Sequence, residues 1–502
     1  MGLPKNIDLT NRVREFFQNE DKKMLIHGEW VNGNAIEKIA VINPATEEVL
    51  GTVPLATPSD VDAAVQSAKQ AFYNPAWRKM LPSDREKRLY RLAELIETHA
   101  DSLAQIITLE NGKMFAQARS SDVLGAAETF RYYAGWCSKI EGETLDVSMK
   151  QVAGKQNFAF TRREPIGVVA AIVPWNFPIS IAAWKLAPAL AAGCTVVLKP
   201  SEETPLSSLY LGALILEAGF PKGVVNILTG DGVTTGASLV AHPDISKISF
   251  TGSTQTGKQI GTAAMRNLTE ISLELGGKSP VIVFEDADLN DAAKAITLGI
   301  FRNQGQICVA GSRVYVQKKV FDKVMADVAL LAGKMRISHG FDPTAELGPL
   351  VSARHFQKVS GYVQNGMDEG ATLLAGGHRA KEVGFYMQPT IFTATDNQKT
   401  IIQEEIFGPV LVGVPFDELQ DAIALANDTS FGLASSVWTK NISKAHSMID
   451  QLESGWVFVN APPRSDPNFP LGGYKQSGFG GKELGKMGLY QYMKTKAVNI
   501  VY

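Results

Sequence analysis

Two glycine-flanked segments of this sequence carry side chains able to do covalent chemistry. Leu273-Glu274-Leu275-Gly276-Gly277-Lys278 presents a carboxylate, a candidate base, and Asn303-Gln304-Gly305-Gln306-Ile307-Cys308 presents a thiol, a candidate nucleophile. Glycines beside both predict tight backbone turns and close approach of a substrate, which a structural cysteine or a solvated glutamate does not need. Taken singly, Cys308 is equally compatible with a small buried hydrophobe, and Glu274 with a carboxylate at a solvated strand end. Cys137 and Cys194 have no neighbours that would activate a thiol and are read as buried filler.

Three further segments offer groups that hold charge. Pro174-Trp175-Asn176-Phe177-Pro178 follows an apolar run, and Asn176 there is either a helix cap or an amide donor for an oxyanion. Phe250-Thr251-Gly252-Ser253-Thr254-Gln255-Thr256-Gly257-Lys258 approaches the P-loop pattern, but Gln259 stands where a hydroxyl must reach Mg²⁺. What remains is a helix start whose N–H groups suit a pyrophosphate. Lys199 and Glu202, in Val197-Leu198-Lys199-Pro200-Ser201-Glu202, form either a solvated loop or a pair for the two hydroxyls of an adenosine ribose. A glutamate there repels a 2′-phosphate, favouring NAD over NADP.

The elements that must position these groups alternate regularly. Apolar runs at 166–173, 195–198, 224–228 and 245–251 are separated by helical stretches, which predicts βαβ units and a mostly parallel sheet. After Gly277 the alternation restarts at 281–284 and 313–317, so a second α/β domain owns Cys308. The candidate base and nucleophile then straddle a domain boundary, where clefts form. Upstream, Val61, Ala64, Val65, Ala68 and Phe72 fall at helical spacing behind Thr57, and Leu89, Leu92, Leu95 and Ile96 form a second stripe. Glu110-Asn111-Gly112 is a helix-ending turn signal. The final run 497–501 reads as a strand tied into a sheet, with a partner subunit's sheet as a candidate.

Composition agrees with a large soluble enzyme. A chain of 502 residues, 45% hydrophobic, exceeds the size at which single cores stop growing, about 250–300 residues. Forty-nine Lys and Arg against 51 Asp and Glu leave a net charge of −2, with no field to attract nucleic acid or an anionic membrane. Three scattered cysteines make neither a disulfide framework nor a CxxC metal site. The polar stretch from Met1 to Glu20, with Lys5, Asp8, Arg12 and Arg14, resembles no signal peptide or anchor, so the chain is read as cytoplasmic.

Together the segments resemble the NAD(P)-dependent aldehyde dehydrogenase superfamily, from about Leu25 to the C-terminus. The resemblance rests on the five stretches above together with Glu404-Glu405-Ile406-Phe407-Gly408-Pro409 and Gly472-Gly473-Tyr474-Lys475-Gln476-Ser477-Gly478, all in family order. It implies Cys308 as nucleophile, Glu274 as general base, Asn176 with the Cys308 N–H as oxyanion hole, and Lys185 near the site. For NAD it implies Lys199 and Glu202 at the adenosine ribose, Gly252 and Ser253 at the pyrophosphate, Leu275 and Trp175 beside the cofactor, Glu405 at the nicotinamide ribose and Phe407 near the ring. NADP is the weaker alternative, and no metal is required.

The implied fold is a Rossmann-like cofactor domain (1–143 and 164–274), an α/β catalytic domain (275–480) and a small β bridging region (144–163 and 481–502), in a homodimer or homotetramer. Within the superfamily the chain looks closest to phenylacetaldehyde dehydrogenases. An apolar tunnel of Phe177, Trp184, Ile307, Val309 and Phe469, facing small Gly125 and Ala126, suits an aromatic or medium-chain aldehyde. Two departures stand out. Leu471 replaces the usual Phe before Gly472-Gly473, and the loop before Glu483 carries one extra residue, leaving the role of Glu483 open. The competing readings are a CoA-acylating dehydrogenase, which would not need Glu274, a degenerate P-loop NTP-binding protein, and a non-catalytic structural protein.

Overall fold

The computed structural model of this chain describes residues 7–34, 36–150 and 154–502. Lys5 and the first six positions of the expected cofactor region lie outside the described residues, as do 151–153 of the expected bridging region.

The alternation that begins near Ile166 folds as a parallel sheet. Val168–Ile172, Thr195–Lys199, Val225–Ile227, Lys247–Thr251 and Glu270–Glu274 pair parallel. The first, second and fourth of these are buried at every residue, as strands covered on both faces must be. Across the sheet the order is Glu29–Val31, Met24–Ile26, Val225–Ile227, Thr195–Lys199, Val168–Ile172, Lys247–Thr251, Glu270–Glu274 and Gly478–Phe479. Met24–Ile26 and Gly478–Phe479 join antiparallel at the two sides. Val168–Ile172 comes first in the parallel set yet lies in its middle, so the winding direction switches beside it. Ligand crevices open at such a switch, outside the C-terminal ends of the strands. Pro174-Trp175-Asn176 and Gly252-Ser253 follow directly from the two strands that flank it.

Helices cover this sheet by the expected stripes. Pro58–Tyr73 starts with a reciprocal cap in which Thr57 Oγ1 accepts from Asp60 N and the Asp60 carboxylate accepts from Thr57 N. Pro82–Thr98 buries Leu89, Leu92, Leu95 and Ile96, and Ala100–Asn111 stops at Gly112 in the left-handed region, φ 84°. The stretch 234–241 departs from a plain helix. Asp231 accepts from the N–H groups of Thr234 and Thr235, and a π-helical turn over Gly232–Gly236 precedes the short helix Ala237–Ala241.

The second sheet runs Thr372–Ala375, Thr390–Thr393, Val410–Phe416, Arg313–Gln317, Pro280–Val283, Ala434–Trp438 and Trp456–Val459, all parallel except Thr372–Ala375. Glu274 closes the last parallel strand of the first sheet, and Gly276-Gly277 lead into Pro280–Val283, an interior strand of the second. The terminal run forms a strand tied into a sheet: Met493–Val501 pairs antiparallel along its whole length with Asn157–Pro165 of its own chain and lies at the edge of that sheet. Thr144–Leu145 completes this small sheet. Among the described residues no helix is long and apolar enough to cross a membrane.

Candidate active site

The nucleophile segment is held in an unusual backbone conformation. Asn303, Gln304 and Gly305 have φ of 49°, 57° and 71°, three consecutive left-handed residues just before Cys308. Such residues cost about 1–2 kcal/mol each when they carry a Cβ, so surrounding bonds must hold them. They do: Asn303 Nδ2 donates to Asn176 O (3.2 Å), Gln306 N and Nε2 donate to Asn303 O (3.0 and 3.2 Å), and Val351 N donates to Gln306 Oε1 (3.0 Å). Gly305 is required outright, since a Cβ there would lie 2.0 Å from Gly408 O.

Cys308 keeps part of its surface open to the cleft between the sheets. Enclosure by protein, with the carboxylates of Glu405 and Glu274 next in effect, pushes its thiol up to about 12. Cys137 and Cys194 are fully enclosed, and burial pushes them up to about 12 and about 11.

Glu274 is buried, and its Oε2 has no hydrogen-bond partner. Burial first, and the nearby Glu483 carboxylate second, hold its carboxyl well above the ordinary range. Lys185 is fully buried; its Nζ ion-pairs with Glu483 and donates to Ser249 Oγ at 3.2 Å. Gly480 and Gly481, both left-handed, precede Glu483, and a two-way backbone pair with Leu471 (2.7 Å each way) fixes its backbone. Leu484, with φ 62° and ψ 172°, occupies a conformation that L-residues rarely adopt, and its buried side chain among Leu471, Leu433 and Trp456 holds it there.

The glycines after Glu274 are required by close approach within the chain. A Cβ on Gly276 would lie 2.3 Å from Glu405 Oε2, and one on Gly277 would lie 2.5 Å from the Cys308 carbonyl. Gly276 also lies on the cleft wall. Gly277 N donates to Glu405 Oε1 at 2.9 Å, and enclosure raises the Glu405 carboxyl.

Asn176 is buried, with Nδ2 donating one hydrogen to Gln306 O at 3.0 Å, which leaves the second available. Trp175 meets Phe407 edge to face at 5.4 Å, and His355 completes an aromatic trio, 5.1 Å from Trp175. Phe407 has φ 60°, and its carbonyl, which can only accept, takes the His355 Nε2 hydrogen at 2.7 Å. Burial holds the His355 imidazole at about 4, so it is neutral at pH 7. Local sequence gave no sign of His355, because it lies on the helix Ala353–Asp368, far from every motif.

One cleft of about 440 Å³ lies between the sheets, with Trp175, Asn176, Gly252, Ser253, Leu275, Cys308, Glu405 and Phe407 on its walls, while Glu274, Lys185 and Glu483 lie outside its lining. Lys199 and Glu202 lie beyond its lining, Nζ to Oε2 3.9 Å. Ser253 caps the helix Thr254–Ala264, its Oγ accepting from Thr256 N. On the other side of Cys308, Trp184, Val309 and Phe458 pack with Trp456, Leu471 and Leu484. Phe469 is partly exposed and stacks on Trp456 at 5.3 Å. Phe177 and Ile307 instead pack against two different cores. Trp456 and Phe458 were missed in the sequence because their strand is an ordinary one until Phe469 folds over it. Among the described residues no group of three or more His, Cys, Asp or Glu could hold a metal.

The sequence profile of the aldehyde dehydrogenase family matches residues 30–498. This chain belongs to that family. It is 45% identical over 482 residues to a phenylacetaldehyde dehydrogenase of Pseudomonas fluorescens, covering 96% of each chain. It is 44% identical over 480 residues to human retinal dehydrogenase 2, covering 95% of this chain and 91% of the relative. A Bacillus cereus aldehyde dehydrogenase solved as an NAD⁺ complex superposes with a TM-score of 0.96 at 44% identity, covering 99% of both chains. Family members of nearly equal identity carry different substrate names, so overall identity does not select an aldehyde.

The charges around Cys308 make a direct prediction. Glu405→Gln removes the carboxylate with the largest effect on the thiol, so the thiolate becomes easier to form. The pH midpoint of Cys308 alkylation by iodoacetamide, measured without cofactor, should move down by about one unit, with faster labelling at pH 7. An unchanged or higher midpoint would contradict this electrostatic account.

Proposed function

We propose that this protein oxidises an aldehyde to its carboxylic acid with NAD as hydride acceptor, and that phenylacetaldehyde-like aromatic aldehydes are its preferred class. The observation that carries the reading is the meeting in one cleft of an open thiol, Cys308, and a buried amide with a free hydrogen, Asn176, with the buried Glu274, one oxygen unpartnered, just outside the lining and near enough for its charge to act on the thiol.

Cys308 gives up its S–H proton to solvent, its Sγ bonds to the aldehyde carbon as the C=O π bond opens, and the oxygen that becomes negative is met by Asn176 Nδ2 and the Cys308 backbone N–H, donors in place before reaction. When bound, NAD supplies the acceptor for the hydride lost by that carbon, leaving a thioester on sulfur. Glu274 takes a proton from water as the water adds to the thioester carbon; the C–S bond breaks and the acid leaves. Aldehyde, water and NAD⁺ become acid, NADH and a proton.

The residues fit a dinucleotide. Thr251 Oγ1 faces the cleft without a partner, the helix starting at Thr254 offers its first N–H groups, and Lys199 spends only one bond on Pro200 O, at 3.0 Å. Glu202 lies between Lys199 (3.9 Å) and Arg354 (3.8 Å), and its carboxylate at the Lys199 ammonium disfavours a 2′-phosphate there. For the aldehyde, Gly125 leaves room, with only Ser180 Oγ at 3.9 Å from where its Cβ would lie. The exposed Phe158, Ile500 and Val501 of the small sheet support assembly into a homodimer or homotetramer, and three unpaired thiols support a reducing, cytoplasmic setting.

The test is the initial rate of NADH and NADPH formation with phenylacetaldehyde, benzaldehyde, acetaldehyde and a carboxylated semialdehyde. We expect NAD to be preferred by at least about tenfold, and phenylacetaldehyde to exceed acetaldehyde in kcat/KM by about 10–100-fold, since each buried methylene or ring face adds about 1–3 kcal/mol. A semialdehyde preference would remove the aromatic reading.

A further inference from the structure

Behind the Asn176 turn lies a buried ion pair that the chemistry above does not use. Lys113 and Asp122 are essentially without solvent exposure, and Lys113 Nζ ion-pairs with Asp122 Oδ2. The same ammonium donates to the carbonyl of Asn176 at 2.8 Å and lies 3.8 Å from the centroid of the Phe177 ring. The other Asp122 oxygen accepts from Ser180 N at 3.3 Å. That N–H belongs to the first turn of the helix Pro178–Ala192, whose cap position, Phe177, has no side chain able to satisfy it. One pair thus grips both ends of the turn, the carbonyl that precedes it and the helix start that follows.

Two further features show that the grip is built rather than incidental. Asp122 sits in a π-helical segment, Ala118–Val123, where the wider turn rotates a residue out of α-helical register, a distortion found often at functional sites. Asn111, one turn residue before Lys113, donates from Nδ2 to the Trp175 carbonyl at 2.9 Å. Successive carbonyls of the Trp175-Asn176 peptide units are therefore tied to a single segment, Asn111-Gly112-Lys113. Burying two charges for packing alone is poor economy, because a well-packed apolar pair of similar volume usually serves stability as well or better.

We infer that Lys113 and Asp122 are positioning residues that fix where the Asn176 amide points, and so set the strength of the oxyanion site. The inference rests on the oxyanion role proposed for Asn176. An amide donor contributes most when it needs no reorganisation during reaction, and displacement by about 1 Å can cost about 100-fold. The Asn176 side chain has one bond of its own, to Gln306 O, so its aim depends on the backbone that Lys113 and Asp122 hold.

The experiment is a double-mutant cycle on the full-length protein. Lys113→Met with Asp122→Leu removes both charges together and leaves none stranded. With Asn176 present, the rates of thioester formation (the NADH burst) and of thioester hydrolysis should each fall about 10–100-fold, because the same amide faces both tetrahedral species. NAD affinity and aldehyde KM should change less than about threefold. In an Asn176→Ala background the same pair should cost little more, since its action passes through that amide. Full additivity, or unchanged rates with Asn176 present, would overturn the inference. If the apolar pair gives no soluble protein, Lys113→Gln with Asp122→Asn keeps neutral hydrogen bonds but is one atom short of spanning both acceptors. It should still lose at least about threefold in both rates, and wild-type rates would overturn the inference equally. A failure of the underlying reading looks different: Asn176→Ala alone would then leave both rates intact.

Discussion

Cys308→Ser is expected to lower aldehyde-dependent NADH formation by about 10⁴-fold or more, while the protein folds normally and binds NAD as before. The argument is one of ionisation. The Cys308 thiol already stands at about 12 in this cleft. An alcohol in the same place ionises far less readily still, so the nucleophilic anion is scarcer by several powers of ten. Intrinsic nucleophilicity falls further on going from sulfur to oxygen. Stability should hardly change, because serine is nearly isosteric and the side chain is open to the cleft rather than packed on all sides. The measurement is single-turnover NADH formation at saturating cofactor, with thermal unfolding as the control. If Cys308→Ser retained more than about 1% of the wild-type rate, a covalent adduct on this residue would not be on the path.

What could be read in the sequence was local. The βαβ alternation, the Asn176 turn and the nucleophile segment each occupy one short stretch whose period or composition carries the signal, and the structure brings them to one crevice at the sheet's switch point. What could not be read depends on pairing across the chain. Glu110-Asn111-Gly112 looked like a turn that ends a helix, and it is one. Its further contacts, Asn111 on Trp175 and Lys113 on Asn176, join residues more than sixty positions apart and leave no periodic trace. His355 is invisible for the same reason. The glycines at 276 and 277 were recognised as sites of close approach, but nothing local says that Glu405 and the Cys308 carbonyl must pack against them. Glu483 is a similar case: counting residues left its role open, and only the fold shows it buried against Lys185, with its backbone paired to Leu471.

Glu274→Gln separates the two half-reactions. The expected result is an NADH burst close to one per active site, followed by steady turnover reduced about 10²–10³-fold, the range for loss of a positioned general base. Glutamine matches the shape of the side chain, and Glu274 Oε2 has no partner to lose, so the fold should be little affected. The pH dependence gives an independent sign. Burial and Glu483 raise the Glu274 carboxyl, so in the wild type it stays protonated, and unable to accept a proton from water, to higher pH than an ordinary carboxyl. Hydrolysis should therefore climb with pH as the carboxyl ionises, at values above the ordinary carboxylate range, and the variant should lose that limb. Adding a thiol such as CoA should restore turnover in Glu274→Gln, because a thiolate acceptor needs no base to activate water. Full steady turnover in the variant, without any added thiol, would show that water is activated elsewhere. The first residue to examine would then be Glu483, the other buried carboxylate whose Oε2 is unpartnered and whose charge already acts on Glu274.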